Sequence, residues 1–358
     1  MRDEATAAGL GPSRRMRGEL RVFGWKLALV IGAAALVFAV AYAAHVLLLI
    51  FAGLLFSIFL LRMAGYLEKL TGAPPGIALA TVLVLIAAAI GLGAWFMGAM
   101  AVAEYGRLAD AVTGAYQKLP EWLRAQVSDG SGVAQWMEGA RAFLPSVAYG
   151  IGDLLIILFA GIYFAVAPKT YLGGLVLLVP REGRQRTREV LHAMGEALWL
   201  WLVGQFVAMA LIGSFTALGL WLIGTSVPFQ LGAMAGLLDF VPYVGPILSA
   251  IPGVMVGFAQ SPEQALWTLG VYVLVQQVES ELIQPLVQRK VVDLPPVVTI
   301  AAIAAGGYLF GLVGALVATP LAICLMTLVN MLYVEDQLGE ERRFPPPDKV
   351  PDEPAPAG

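Results

Sequence analysis

The sequence predicts an all-α polytopic membrane protein of about eight membrane segments, with helix-breaking re-entrant elements in its C-terminal half. Three observations predict it. Only 13% of the 358 residues are charged and 59% are hydrophobic. A soluble domain carries roughly 25% charged residues, so this chain lacks the polar surface to cover a water-soluble fold of its length. Long runs have no Asp, Glu, Lys or Arg at all, from Leu27 to Leu61 and from Leu294 to Val334. Two apolar segments after residue 224 are broken by proline and glycine, which a plain anchor does not need.

Composition also excludes function classes. The net charge of -3 is scattered, without the basic stripe that nucleic-acid binders use, so no nucleic-acid partner is expected. Cys324 is the single cysteine, which rules out an intrachain disulfide or thiolate cluster and leaves an inert packing thiol. No HExxH, GxSxG or P-loop pattern occurs, so neither an enzyme nor a cofactor is expected.

Residues 1–24 form a basic N-terminus that includes Arg14, Arg15, Arg17 and Arg21. The apolar run after it is about 35 residues long, beyond a secretory leader's roughly 7–15, and divides into two spans at a turn near Ala43-Ala44-His45. Pro74-Pro75-Gly76 starts a third span, completing a region of spans over 25–103. Residues 104–145 mix charges with Trp122, Trp136 and other apolar residues, broken at Pro120 and Gly130, and read as an extramembrane amphipathic helical segment. Residues 146–223 hold spans four and five around the basic connection 168–194. The positive-inside rule puts that connection and the N-terminus in the cytoplasm, with four spans between them.

Residues 224–334 are the informative part. The stretch Leu231 to Phe258 is interrupted by Asp239-Phe240-Val241-Pro242-Tyr243-Val244-Gly245-Pro246. Each arm is near 13 residues, or about 20 Å of helix, too short to cross a core of about 30 Å, so it reads as a re-entrant hairpin. Pro242 and Pro246 lack amide hydrogens and are expected to leave carbonyls unpaired at the tip. A second broken helix follows, opening at Pro295-Pro296 and interrupted at Gly306-Gly307 and Gly311 to Gly314. Paired broken helices point to a transporter's substrate site, and the two hairpins are expected to face each other. The spacings Gly232/Gly236, Gly253/Gly257 and Gly307/Gly311 are read as close helix packing. Between the hairpins, one span ends in Gln276-Gln277-Val278-Glu279-Ser280-Glu281-Leu282-Ile283-Gln284-Pro285, read either as a hydrated vestibule lined by Gln276, Glu279 and Gln284 or as a helix end rising into the headgroups. Asp239 is either a neutral acid held by backbone or an ion-coupling group. Residues 335–358, rich in proline, are read as a disordered tail.

The motif at Asp239 to Pro246 is followed by Gln284-Pro285-Leu286-Val287 and Leu294-Pro295-Pro296-Val297-Val298. The run from Gly306-Gly307-Tyr308-Leu309-Phe310-Gly311 through Gly314 to Thr319-Pro320-Leu321 completes the set. In this order the motifs resemble the autoinducer-2 exporter family of bacterial membrane proteins. The resemblance implies a multi-pass inner-membrane permease of about eight spans, a homo-oligomer, and export of the quorum signal autoinducer-2 or sodium/proton antiport. Partners are then the lipid bilayer, a small polar solute and a coupling proton or sodium ion. Residues expected to line the solute or ion pathway are Asp239, Pro242, Tyr243, Gly245, Pro246, Gln276, Glu279, Gln284, Pro285, Gly306, Gly307, Gly311, Gly314, Thr319 and Pro320. Glu281 departs from the small polar residue that relatives often carry, which bears on selectivity. The reading from another class is a non-transporting membrane scaffold recruiting partners through residues 104–145 and the tail.

Overall fold

A computed structural model describes residues 14–93, 95, 150, 152–283 and 294–339, with side chains in the first helix described from Ala43. The chain divides into two compact units, Met1–Leu48 and Leu49–Gly358, and the packing below is that of the second. The described residues are helical, with no strand among them. In order they form α1 (Arg14–Thr71), α2 (Pro75–Gly93), α3 (Gly152–Val166), α4 (Pro168–Leu177), α5 (Arg184–Leu222), α6 (Pro228–Leu238), α7 (Val244–Gln260), α8 (Pro262–Val278) and α9 (Pro296–Val329). Most of them start on proline, whose fixed φ suits the first turn and whose missing amide hydrogen costs nothing there. The amphipathic segment 104–145, Gln284, Pro285 and the tail beyond Gly339 lie outside the described residues.

α1 corrects one expectation. Residues 43–45 are helical within it, so the turn near Ala43-Ala44-His45 is not formed. Two alanines and a histidine contain no helix breaker, and alanine is the strongest helix former, so nothing in that stretch ends the hydrogen-bond ladder. The even count of four spans that put the N-terminus on the side of the basic connection rests on that turn.

Four described helical stretches, Ala43–Thr71, Pro75–Gly93, Arg181–Leu222 and Pro296–Glu335, are long and apolar enough to cross a membrane, while α3 and α4, bent by 86° to each other, reach that length only when taken together. The last of the four is a hairpin rather than a rod. Gly311 has φ 62° and ψ -145°, a non-helical conformation inside α9. A Cβ placed on Gly306 would lie 2.6 Å from the Gly314 carbonyl oxygen and 3.4 Å from Cβ of Ala318. In a straight helix, residues eight apart are about 12 Å apart, so the chain doubles back at Gly311. Gly306 and Gly307, expected as breaks, are helical and face the second arm.

α5 gives the depth scale. Near its start Arg62 of α1 pairs with Glu196, and Trp199 stacks against Tyr66 and beneath the Arg62 guanidinium, the mix of charge and aromatics found at a membrane–water boundary. At the other end Gln264 donates to the Ile223 carbonyl (2.7 Å), and Gln260 donates to that of Gly224. The hairpin α6–α7 hangs from this second end, with Gly232 and Gly236 against Gly213 and Ala217 of α5. Its tip meets α5 at Trp201 and Gln205. Gln205 is nine residues past Glu196, so the tip sits about 13 Å below the first boundary. α6, with 11 residues, is about 16 Å long and cannot cross alone.

The second hairpin enters from the opposite end. Glu335 and Asp336 bind Arg186, at 2.8 and 2.9 Å, where α5 begins. Ile323 and Cys324 pack on Leu198, Trp201 and Leu202. The second arm of α9 thus runs antiparallel to α5, which carries Gly311 to about 24 Å past Glu196, still inside a core of about 30 Å. The two hairpins overlap where Val241 packs with Ile303 and Ala318, so they face each other as the sequence predicts.

Candidate functional site at the meeting of two hairpins

The tip of the first hairpin is built by two prolines and one strained residue. Tyr243 has φ 65°, the only described non-glycine at positive φ, and the Val244 amide donates to the Pro242 carbonyl at 2.8 Å. That is a γ-turn of the rare positive-φ kind, costing about 1–3 kcal/mol, and such strain persists only where neighbours enforce it. Gly245 permits it: a Cβ there would lie 2.7 Å from Cα of Asp239, so only glycine lets the chain fold back this tightly.

The tip carbonyls are not left open. Those of Leu238, Val241 and Pro242 accept from backbone amides, the Pro246 carbonyl from the Ser249 hydroxyl (3.0 Å), and the Asp239 carbonyl from the Gln205 side chain (2.7 Å). The expectation of free carbonyls fails at these five positions because local turns and one side chain satisfy them. What remains is carboxylate chemistry. Asp239 is 1% exposed, and its Oδ1 has no hydrogen-bond partner among the described residues. Glu279, 4% exposed, lies near enough for its charge to act on Asp239, and Gln276 donates to its Oε2 at 3.0 Å. Asp239 and Glu279 are thus two buried carboxylates, the first beside Gln205 of α5 and the second beside the half-buried Gln276 of α8.

Glu279 opens a π-helical turn, Glu279–Ile283, which continues α8. Such turns widen a helix and are frequent at functional sites. Glu279 faces inward, while Gln277, Ser280 and Glu281 are exposed.

The other predicted residues have other surroundings. Thr319 and Pro320 are buried in the second arm, the Thr319 hydroxyl without a described partner. Gly306 and Gly314 are a backbone crossing point, Gly307 faces Ala315, and Gly311 is the exposed turn. Of the three glycine pairs, Gly232/Gly236 pack on α5, and Gly253/Gly257 pack on Tyr272 and Thr268 of α8, where a Cβ added to either glycine would lie 2.5 and 2.6 Å, respectively, from their hydroxyl oxygens. Gly307/Gly311 make no such contact; Gly306/Gly314 do. The residue missed is Gln205, and its signal was present as a lone amide in an apolar span. No cluster of metal-ligating side chains occurs among the described residues.

An all-helical bundle rich in exposed leucines, with opposed broken helices that meet at Val241, two residues from the buried Asp239, fits the class of polytopic transport proteins. The family model described as "AI-2E family transporter" matches residues 27–333, and the chain belongs to that family. It is 26% identical over 152 residues to the Bacillus subtilis protein named "Putative transport protein YrrI" (42% of this chain, 43% of that one). It is 30% identical over 145 residues to "Putative transport protein YueF" of the same organism (40% and 39%). It is 29% identical over 204 residues to "Putative transport protein MT0215" of Mycobacterium tuberculosis (56% and 54%). The matched stretches therefore span about half or less of these relatives' lengths.

Proposed function

We propose that this AI-2E family transporter moves a small polar solute by alternating access, with Asp239 and Glu279 at the centre of the pathway. The observation that carries the reading is a pair of carboxylates buried at membrane depth where two re-entrant hairpins from opposite sides meet. Burying such groups is expensive, and intramembrane carboxylates mark solute and ion pathways or proton relays. The solute class is a small polar molecule, with autoinducer-2 as the candidate that the sequence resemblance implies. The bundle resides in a bacterial inner membrane as a homo-oligomer, with the basic connection 168–194 facing the cytoplasm.

The unpartnered Asp239 oxygen favours a second reading, a cation antiporter in which the pair alternately binds a proton and sodium. Labelled autoinducer-2 flux and proton flux, measured in the same proteoliposomes, separate the two. Asp239→Asn keeps the shape and removes the charge, and is expected to lower flux at least about tenfold. Unchanged flux of both species in that variant, with the protein folded, removes Asp239 from the pathway. The chemistry needs no catalytic group or cofactor, since positioning and a gradient suffice.

A further inference from the structure

We propose that the cavity between α4 and the start of α5 holds the phosphate of an anionic phospholipid, whose acyl chains lie along α4. Three observations carry it. First, α4 turns away from α3 by 86°, so when α3 is upright α4 lies in the plane of the membrane surface. Its Leu172, Leu175 and the following Leu178 are exposed, and their apolar surface belongs at the headgroup–acyl boundary.

Second, a cavity of about 430 Å³ opens beside this helix, lined by Lys169, Thr170, Gly173, Gly174, Arg184 and Arg188, with no carboxylate in its wall. The two glycines leave its floor without side chains, room that a glycerophosphate headgroup fills. Third, the cations there are unspent. Arg186, two residues from both Arg184 and Arg188 and so on another face of the helix, is tied to Glu189, Glu335 and Asp336. Lys169 and Arg188 have no ion pair among the described residues, and Arg184, which lines the cavity, donates only to backbone, from Nε to the Val179 carbonyl at 3.1 Å and from Nη2 to that of Leu177 at 3.5 Å, so its charge is not paired with a carboxylate. Three cations around an open cavity at the lipid surface match one phosphodiester, and basic pockets between membrane helices bind such headgroups.

The test is native mass spectrometry of the full chain in neutral detergent, with phosphatidylglycerol and phosphatidylcholine added at equal concentrations. The protein retains phosphatidylglycerol preferentially. The double variant Lys169→Gln, Arg188→Gln loses that preference about 30-fold, taking each cation at the strength usual near an anionic surface. Arg181→Gln, on the same connection but outside the cavity, changes it less than about threefold. Equal retention of the two lipids by the wild type overturns the proposal, even if the double variant does not fold. Equal losses in Arg181→Gln and the double variant overturn it in favour of general surface charge. Displacement of phosphatidylglycerol by equimolar glycerol phosphate overturns it in favour of a soluble anion.

Discussion

The hairpin of α6 and α7 and the hairpin within α9 solve the same problem, reversing a helix inside lipid, by different means. The first turns through the five residues Asp239 to Tyr243, with Pro242 and a positive-φ tyrosine among them and Pro246 in the first turn of α7, and its polar backbone is answered by local hydrogen bonds and by Gln205. The second turns on Gly311 alone, has no charged residue, and is held by the crossing of Gly306 and Gly314. Around its turn Tyr308, Leu309 and Leu312 are exposed, whereas Asp239 at the first tip is almost fully enclosed. In the alternating-access mechanism proposed above, the enclosed, hydrogen-bonded tip is assigned the fixed binding point and the single-glycine tip the moving part.

Substitutions sharpen this contrast. Gly245→Ala sets a methyl against the backbone of Asp239, which cannot give way, and is expected to cost about 3 kcal/mol, the upper end for overpacking. The loss is read as a drop in monodisperse yield and melting temperature. Gly311→Ala meets open space but forces an L-residue into a region nearly reserved for glycine, at about 2 kcal/mol, by the same readout. A Gly311→Ala loss larger than that of Gly245→Ala would reverse the assignment of which tip is rigid. Gln205→Leu leaves the Asp239 carbonyl buried and unpaired, at about 1–2 kcal/mol. Tyr243→Gly is the smallest effect and of opposite sign, a gain of up to about 1 kcal/mol from relieved strain. A Tyr243→Gly protein that melts lower than wild type would show that the tyrosine's contacts outweigh its backbone strain.

Much of this was legible because lipid makes sequence rules strict. Uncharged runs mark membrane helices, and Pro242, Pro246 and Gly311 mark where a helix must break, since each removes a hydrogen bond or admits a conformation others avoid. The first hairpin, the second, and their meeting were readable from those residues. The turn at Ala43-Ala44-His45 was inferred from length alone, with no breaker present, and the helix runs through it. Glycine spacing located Gly232/Gly236 and Gly253/Gly257 but chose Gly307/Gly311 over Gly306/Gly314, because a fixed step of four presumes a straight helix and the chain here folds back. Gln205 went unassigned because its partner is a backbone carbonyl 34 residues away, a contact no local pattern carries.

The central claim is that two hairpins entering from opposite ends meet at Val241, and cysteine cross-linking in native membranes tests it most directly. In a Cys324→Ser background, Val241→Cys is paired with Ala318→Cys or with Ile303→Cys and oxidised, then digested with trypsin, which cuts between them after Arg289 and Lys290. The account predicts fragments held together until reductant is added, in at least one pair. Fragments that separate without reductant in both pairs, from protein that is folded and fully thiol-labelled after reduction, would contradict it.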